Sequence, residues 1–260
     1  AVLIPGIGKV VNGSRRWIAL GPIGIQVSEI VKLLMIIYVA GFLVRHQDKV
    51  TTQLRGFINP MIVLSIIATL LLREPDFGAS VVITITVMAM LFLAGVPLRY
   101  YSILLLIVTI AIAFLAVSSP YRMARLTAFL NPWADQFNSG YQLTQSLIAF
   151  GKGGLYGVGF GNSIQKLFYL PESHTDFLFA VLAEETGLVG VVVVLGLYSI
   201  LVYRGLHIAY QSYRRQALFH AWVAYGISVW LGLQTLINIG VNTGMLPTKG
   251  LTLPFLSYGG

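Results

Sequence analysis

Cysteine is absent from the 260 residues, so neither disulfide bonds nor thiolate metal sites can form within the chain. Charged residues are also scarce, at 10% of the chain, where soluble domains carry about 25%. Hydrophobic residues make up 57% of the sequence, and its mean hydropathy is +0.81. This composition excludes an ordinary soluble domain and indicates a membrane protein.

Six apolar runs predict membrane-spanning helices, since about 20 apolar residues cross the hydrocarbon core of a bilayer. The runs are 29–44, 57–72, 79–96, 101–118, 177–203 and 219–245. A secretory signal would be one short hydrophobic segment. We therefore predict an all-α polytopic membrane protein, with one transmembrane domain over residues 1–260 and one large loop over residues 119–176. Because the chain opens on Ala1 without an initiator Met, we expect it to be a fragment of a larger protein.

The net charge of +8 is spread over many short loops, with no basic helix and no aromatic platform for nucleic acid. Nucleic acid is therefore not an expected partner, and anionic lipid or a phosphate-bearing substrate is favoured. Basic residues after the first, third and fifth runs predict that those loops are cytoplasmic. The loop 119–176 is then extracytoplasmic, on the side where most of the acidic residues gather.

Glu29 and Lys32 lie at the start of the first run, spaced i, i+3 on one helix face, so they can pair. A charge within a membrane helix costs at least ~2.5 kcal/mol and usually faces a bundle interior or a wet cavity. Two alternatives stay open: both side chains could snorkel to the interface, or the pair could be a structural tie between helices.

Two further polar segments admit two readings each. The turn Arg73-Glu74-Pro75-Asp76-Phe77-Gly78 could be a hairpin cap, with Arg73 neutralising an acid, or could add charge to a cavity rim. The glycine-rich segment 151–162 matches neither nucleotide-binding glycine motif. It could form a phosphate-binding nest or a flexible re-entrant turn. Just before it, residues 142–150 predict an amphipathic helix suited to the bilayer surface, with Leu143, Leu147 and Phe150 on its apolar side.

The large loop ends in Pro171-Glu172-Ser173-His174-Thr175-Asp176-Phe177, at the start of the fifth run. No second histidine or recognisable ligand spacing accompanies His174, so a metal site is not predicted. A serine hydrolase is disfavoured because Ser173 directly precedes His174. Asp176 could accept a proton from an attacking hydroxyl, which is the role of a general base.

Together these motifs resemble the SEDS family (shape, elongation, division and sporulation), typified by FtsW and RodA. The sequences of two motifs, at 12–17 and 73–78, resemble FtsW, the division member, more than RodA. The family has about ten spans, of which this chain would supply about six. The resemblance is carried by five segments in order: Asn12-Gly13-Ser14-Arg15-Arg16-Trp17-Ile18, Gln26-Val27-Ser28-Glu29-Ile30-Val31-Lys32, Glu74-Pro75-Asp76-Phe77-Gly78, Pro171-Glu172-Ser173-His174-Thr175-Asp176-Phe177, and Gly244-Met245-Leu246-Pro247-Thr248-Lys249-Gly250 through Ser257-Tyr258-Gly259-Gly260.

The resemblance implies a peptidoglycan glycosyltransferase that polymerises lipid II, with Asp176 as the catalytic residue. It implies a division-type class B penicillin-binding transpeptidase and other divisome membrane proteins as partners, in the bacterial inner membrane at the septum. The active site would be extracytoplasmic. No tightly bound cofactor is expected, although Mg²⁺ or Mn²⁺ could accompany the pyrophosphate. The residues predicted to bind substrate are Glu29, Lys32, Arg73, Asp76, Lys152, Lys166, Glu172, His174 and Lys249.

Two other functions compete with polymerisation. A lipid II flippase would use Glu29 and Lys32 equally well, but would need no base at Asp176. A scaffold that recruits the transpeptidase would tolerate loss of every charged residue named above.

Overall fold

The computed structural model describes residues 8–11, 14–20, 23–74, 76–118, 123, 127–248 and 250–258. Eight helices are described: α1 Val27–Arg45, α2 Gln47–Thr52, α3 Leu54–Arg73, α4 Phe77–Leu93, α5 Leu98–Val117, α6 Tyr141–Gly153, α7 Leu178–Arg214 and α8 Leu218–Asn242. Each of the six predicted runs overlaps one long helix, so the helical membrane-spanning architecture is confirmed. Within the described residues, α1, α3, α7 and α8 are long and apolar enough to cross a membrane, and α4 and α5 contain shorter apolar stretches.

A three-stranded antiparallel sheet precedes α1 and was not predicted. Its strands are β1 Gly8–Val11, β2 Ser14–Leu20 and β3 Ile23–Gln26, in the order β1-β2-β3. The register pairs Ile18 with Ile25, and an irregularity interrupts β1 between Lys9 and Val10. The sequence did hold a signal, because Asn12-Gly13 between two strand-forming segments is typical of a hairpin.

The chain forms two compact units. The first comprises residues 1–104 and 201–233, with residue 259. Its apolar core is built mainly from α1, α3 and α4, and Trp222, Tyr225 and Trp230 of α8 pack against that core. The prediction of a single transmembrane domain stays a prediction.

The second unit comprises residues 105–200 and 234–258, with residue 260. It contains the predicted loop 119–176, which includes α6, a 3₁₀ turn at Pro132–Asp135 and a π-helical turn at Gln165–Tyr169. Helix α6 confirms the predicted helix over 142–150. Its predicted position on the bilayer surface was wrong, because the apolar side packs against protein: Leu143 is buried, and the ring of Phe150 lies 5.9 Å from that of Phe179.

Helix α7 is broken at Gly187, where the backbone adopts φ 66° and ψ −163°. The glycine-rich segment 151–162 fills this break. Four backbone hydrogen bonds join them: Val158 N to Glu184 O (3.0 Å), Gly159 N to Glu185 O (3.0 Å), Leu188 N to Gly154 O (2.9 Å) and Val189 N to Leu155 O (3.2 Å). In an unbroken helix, the amides of Leu188 and Val189 would bond the carbonyls of Glu184 and Glu185. The inserted segment therefore replaces those two missing helical bonds with four others.

We expect Gly187→Ala to destabilise the protein, because a left-handed φ costs an L-residue about 1–2 kcal/mol. A Cβ at Gly187 would also lie only 2.6 Å from the carbonyl carbon of Leu155. The measurement is the midpoint of thermal unfolding of the full-length protein in detergent.

The matched control is Gly196→Ala, in the same helix. A Cβ at Gly196 meets nothing within 4 Å, and alanine favours a helix over glycine by about 1 kcal/mol. Equal unfolding midpoints for the two variants would contradict the proposed steric role of Gly187.

Candidate active site

The half-buried Asp176 ends a tight turn, two residues before α7 begins at Leu178. Its backbone carbonyl accepts hydrogen bonds from Asn238 Nδ2 (2.9 Å) and Asn242 Nδ2 (3.0 Å), both on α8. Its carboxylate lies over Gly250, where an added Cβ would be 2.9 Å from Asp176 Oδ2. The absence of a side chain at Gly250 thus makes room for the carboxylate.

The turn that carries Asp176 is fixed by its own hydrogen bonds. Glu172 adopts a left-handed φ of 58°, and its carbonyl accepts from the backbone amides of Thr175 (3.2 Å) and Phe177 (3.1 Å). The Thr175 hydroxyl donates to Glu172 Oε2 at 2.6 Å. The side chains of Glu172 and His174 are exposed on this turn.

The segment 250–258 holds the same turn from its other side. Ser257 Oγ donates to the carbonyl of Thr175 (2.6 Å), and the amide of Tyr258 donates to the carbonyl of His174 (3.0 Å). Backbone carbonyls of three consecutive residues, 174–176, therefore all have donors. The carboxylate of Asp176 is presented from a backbone that is held at each of these positions.

Three amide side chains organise this region from one face of α8. Gln234, Asn238 and Asn242 are spaced four residues apart and are almost completely buried. Asn238 Nδ2 also donates to Leu251 O (2.6 Å), Gln234 Nε2 donates to Thr252 O (3.0 Å), and Asn242 Oδ1 accepts from Ala180 N (3.2 Å). These three residues were not predicted from the sequence, although polar residues at i, i+4, i+8 of an apolar helix were a readable signal.

Two carboxylates of α7 bind hydroxyl, amide and ammonium groups of residues 163–166, which follow the glycine-rich segment. Glu184 is fully buried and accepts from Ser163 Oγ, from the amide of Gln165 (3.2 Å) and from the amide of Ile164 (3.3 Å). Glu185 accepts from Lys166 Nζ at 2.6 Å. The anions bound here are thus side chains of the protein itself, and the flexible re-entrant turn predicted as an alternative is instead a bonded structure.

In the first unit, Lys32 and Glu29 form the predicted ion pair, with Nζ 2.6 Å from Oε1. Lys32 is only 1% exposed, and its ammonium lies 5.0 Å from the ring centre of Trp230, within cation–π range. The alternative in which Lys32 snorkels to the interface is therefore excluded. Both partners belong to α1, so this ion pair does not itself tie two helices together.

Asp76 serves as the N-cap of α4. Its Oδ1 accepts from the amide of Ala79 at 3.1 Å, and its Oδ2 accepts from Gln26 Nε2 at 3.4 Å. Asp76 is 2% exposed and close enough to contribute to the electrostatic field at Lys32. Asp76 therefore caps α4, and its second oxygen also bonds the residue that precedes α1.

The predicted site residues thus fall into separate groups. Glu29, Lys32 and Asp76 are associated in the first unit, where Arg73 is exposed at the end of α3; Glu172, His174 and Asp176 share one turn of the second unit. Also in the second unit, Lys166 is paired with Glu185, and Lys152 is exposed at the end of α6. Lys249 lies outside the described residues. Within the described part of the chain, no group of three or more His, Asp or Glu could hold a metal ion.

We expect Glu29→Gln to destabilise the protein more than Lys32→Met does. Replacing the carboxylate by a neutral amide removes the negative charge that pairs with a buried ammonium, a loss of about 1–3 kcal/mol. Removing the ammonium leaves a carboxylate that is partly exposed. The measurement is thermal unfolding of both single variants and the double variant in detergent, read as a double-mutant cycle; a coupling of zero would contradict the pairing.

We expect Asn242→Ala to lower stability by about 1–3 kcal/mol, because it removes two buried hydrogen bonds, from Ala180 N to Asn242 Oδ1 and from Asn242 Nδ2 to Asp176 O. The control is Asn138→Ala, an exposed position whose bond to Asp135 (2.8 Å) is exchangeable with water. Thermal unfolding of the two variants measures the difference. Equal midpoints would show that the amides of α8 do not stabilise the turn.

These features define a multi-pass helical membrane protein with a buried ion pair in one unit and, in the other, a half-buried carboxylate on a turn whose backbone is hydrogen-bonded. The family model FTSW_RODA_SPOVE, described as “Cell cycle protein”, matches residues 1–260. The chain belongs to this family.

Curated relatives from two bacteria are similar over the whole chain, and both are described as “Probable peptidoglycan glycosyltransferase FtsW”. The protein from Legionella pneumophila is 69% identical over 259 residues, which cover 100% of this chain and 66% of the relative. The protein from Coxiella burnetii is 62% identical over 259 residues, which cover 100% of this chain and 70% of the relative. This chain therefore spans about two thirds of the length of these relatives.

Solved structures share the fold. A peptidoglycan synthase complex, described for its coordination of polymerization and crosslinking, contains a chain that is 32% identical with a TM-score of 0.75, and the match covers 98% of this chain and 70% of that chain. The rod shape determining protein RodA of Thermus thermophilus is 29% identical with a TM-score of 0.62, and the match covers 98% of this chain and 66% of RodA.

Proposed function

We propose that this chain is part of a peptidoglycan glycosyltransferase that polymerises lipid II for septal wall synthesis. The observation that carries the proposal is the turn at Asp176, where a half-buried carboxylate extends from a backbone held by Asn238 and Asn242. The names of the relatives in Legionella and Coxiella support the same activity.

In the proposed reaction, Asp176 is the general base. The donor sugar of lipid II is α-linked to pyrophosphate and the product linkage is β-1,4, so the anomeric centre inverts in a single displacement. The acceptor 4-hydroxyl attacks the anomeric carbon as its proton passes to the Asp176 carboxylate. The bond from that carbon to the pyrophosphate oxygen breaks, and undecaprenyl pyrophosphate leaves with the electron pair.

Such a base must be held in place and must also be reachable. General-base catalysis contributes about 10²–10⁴-fold and requires the base within hydrogen-bond distance of the proton that it takes. The donors to the carbonyls of residues 174–176 fix the backbone of the turn, while the side chain of Asp176 stays partly exposed. This arrangement supports a positioned carboxylate rather than a mobile one.

Cations would stabilise the leaving pyrophosphate, since it gains negative charge as the bond breaks. The exposed Lys152 is the best candidate in the unit that carries Asp176, because Lys166 already binds a carboxylate at 2.6 Å. Arg73, in the first unit, is a candidate from the sequence alone. A divalent cation carried by the pyrophosphate, such as Mg²⁺ or Mn²⁺, would share that role. Lys249 stays a prediction from the sequence.

We further propose that a division-type class B penicillin-binding transpeptidase is the partner, together with other divisome membrane proteins. The solved peptidoglycan synthase complex supports a partnership of this kind. The proposed site of action is the inner membrane at the division septum, with Asp176 on the extracytoplasmic side.

We expect Asp176→Asn to abolish polymerisation, because asparagine has nearly the same shape but cannot take the proton. The loss should be about 100-fold or more. The experiment uses the full-length protein with its transpeptidase, labelled lipid II and a β-lactam to suppress crosslinking, and reads glycan ladders on a gel.

The matched control is Asp48→Asn, which removes an exposed carboxylate near the start of α2 in the other unit. Ladders of equal strength from wild type and Asp176→Asn would remove Asp176 as the base. If neither formed ladders where a known polymerase is active, flipping of lipid II or scaffolding would replace polymerisation.

A further inference from the structure

The tip of the glycine-rich segment exposes large apolar side chains. Tyr156 is 82% exposed, Phe160 is 85% exposed and Leu155 is 61% exposed. Three such side chains within six residues would be costly in water, since each leaves most of its apolar surface uncovered. Their backbone is nevertheless ordered, because the break in α7 binds it through four hydrogen bonds.

Those hydrogen bonds also place the tip beside an apolar surface of α7. The carbonyls of Gly154 and Leu155 bind the amides of Leu188 and Val189, whose own side chains are about half exposed. From residue 188 onward, many of the apolar side chains of α7 are exposed, as lipid-facing residues of a membrane helix are. The exposed tip is therefore continuous with the lipid-facing surface of the helix.

The position of the tip along α7 matches a membrane boundary. Residues 186–203 carry no charge and lie between Glu185 and Arg204. At 1.5 Å per residue these 18 residues span about 27 Å, close to the ~30 Å of a hydrocarbon core. The break at Gly187 and the segment bound to it thus lie at one end of the apolar stretch.

Backbone amides and a charged side chain near the tip already have hydrogen-bond or ion-pair partners within the protein, as a position at the membrane boundary requires. Irregular backbone is tolerated near hydrocarbon only where its hydrogen-bonding groups have partners. The amides of Val158 and Gly159 bond α7, and the nearby Lys166 ammonium is paired with Glu185. The side chains left exposed at the tip are apolar or amphipathic.

We propose that residues 155–160 are an interfacial membrane anchor, which inserts Leu155, Tyr156 and Phe160 where lipid headgroups meet acyl chains. Aromatic side chains are enriched at this depth, because a ring can lie in the apolar layer while a hydroxyl such as that of Tyr156 reaches water. The occupant of this surface is the bilayer, and this inference is independent of the proposed catalytic activity.

The test places a nitroxide label at Tyr156→Cys or Phe160→Cys in the full-length protein, reconstituted in phosphatidylethanolamine and phosphatidylglycerol bilayers. These 260 residues contain no cysteine. Any cysteine elsewhere in the full-length protein is replaced by serine, so that the label reacts only at the introduced position. Collisions with oxygen, which concentrates in lipid, are compared with collisions with a water-soluble nickel chelate. Leu197→Cys, on the exposed apolar face of α7, is the lipid control, and Lys49→Cys, exposed in α2, is the aqueous control.

The expected result is greater accessibility to oxygen than to nickel at positions 156 and 160, as at position 197. Greater accessibility to nickel, as at position 49, would overturn the anchor, and so would protection from both reagents, which would mean that protein covers the tip. As a second measurement, Phe160→Trp should add fluorescence that brominated lipids quench. Lys49→Trp should add fluorescence that they leave unchanged; equal quenching in both variants would also overturn the anchor.

Discussion

Buried amide side chains on α8 hold the turn on which the candidate active site depends. Asn238 and Asn242 both donate to the carbonyl of Asp176, and Asn242 also accepts from the amide of Ala180 at the start of α7. In an apolar bundle, an unsatisfied backbone group costs several kcal/mol, so these bonds have few competitors. These hydrogen bonds fix the backbone position from which the Asp176 side chain extends, and Gly250, which has no side chain, leaves room for the carboxylate.

The same constraint explains the break in α7. A left-handed residue at Gly187 frees two amides and two carbonyls, and the glycine-rich segment supplies partners for all four. Carboxylates from the adjoining turn of α7, Glu184 and Glu185, then bind hydroxyl, amide and ammonium groups of residues 163–166. An irregular loop and a broken helix thus satisfy each other, which neither could do alone.

Buried charged side chains of this protein form ion pairs with close neighbours in the sequence where the helical spacing allows it. Glu29 and Lys32 are three residues apart on one helix, so the pair was predictable, and the structure adds the ring of Trp230 and the nearby Asp76. The partner of Lys166 was not predictable in this way, because Glu185 is 19 residues distant and reaches it only through the fold of the loop. Spacing along one helix therefore revealed one ion pair, and tertiary contacts created the other.

Hydrophobic length and periodicity determined the spanning helices and the helix at 142–150, and the i, i+3 spacing of Glu29 and Lys32 determined the ion pair of α1. Asp176 was a candidate because it directly precedes a membrane run and because the resemblance to the family implies its role. Only the tertiary structure decided what covers the apolar side of the helix at 142–150, which amides hold Asp176, and where the glycine-rich segment lies. Those outcomes depend on contacts between residues such as Asp176 and Asn242, 66 positions apart. Their hydrogen bonds form because the fold brings them together in an apolar interior, where no water can take the place of either partner.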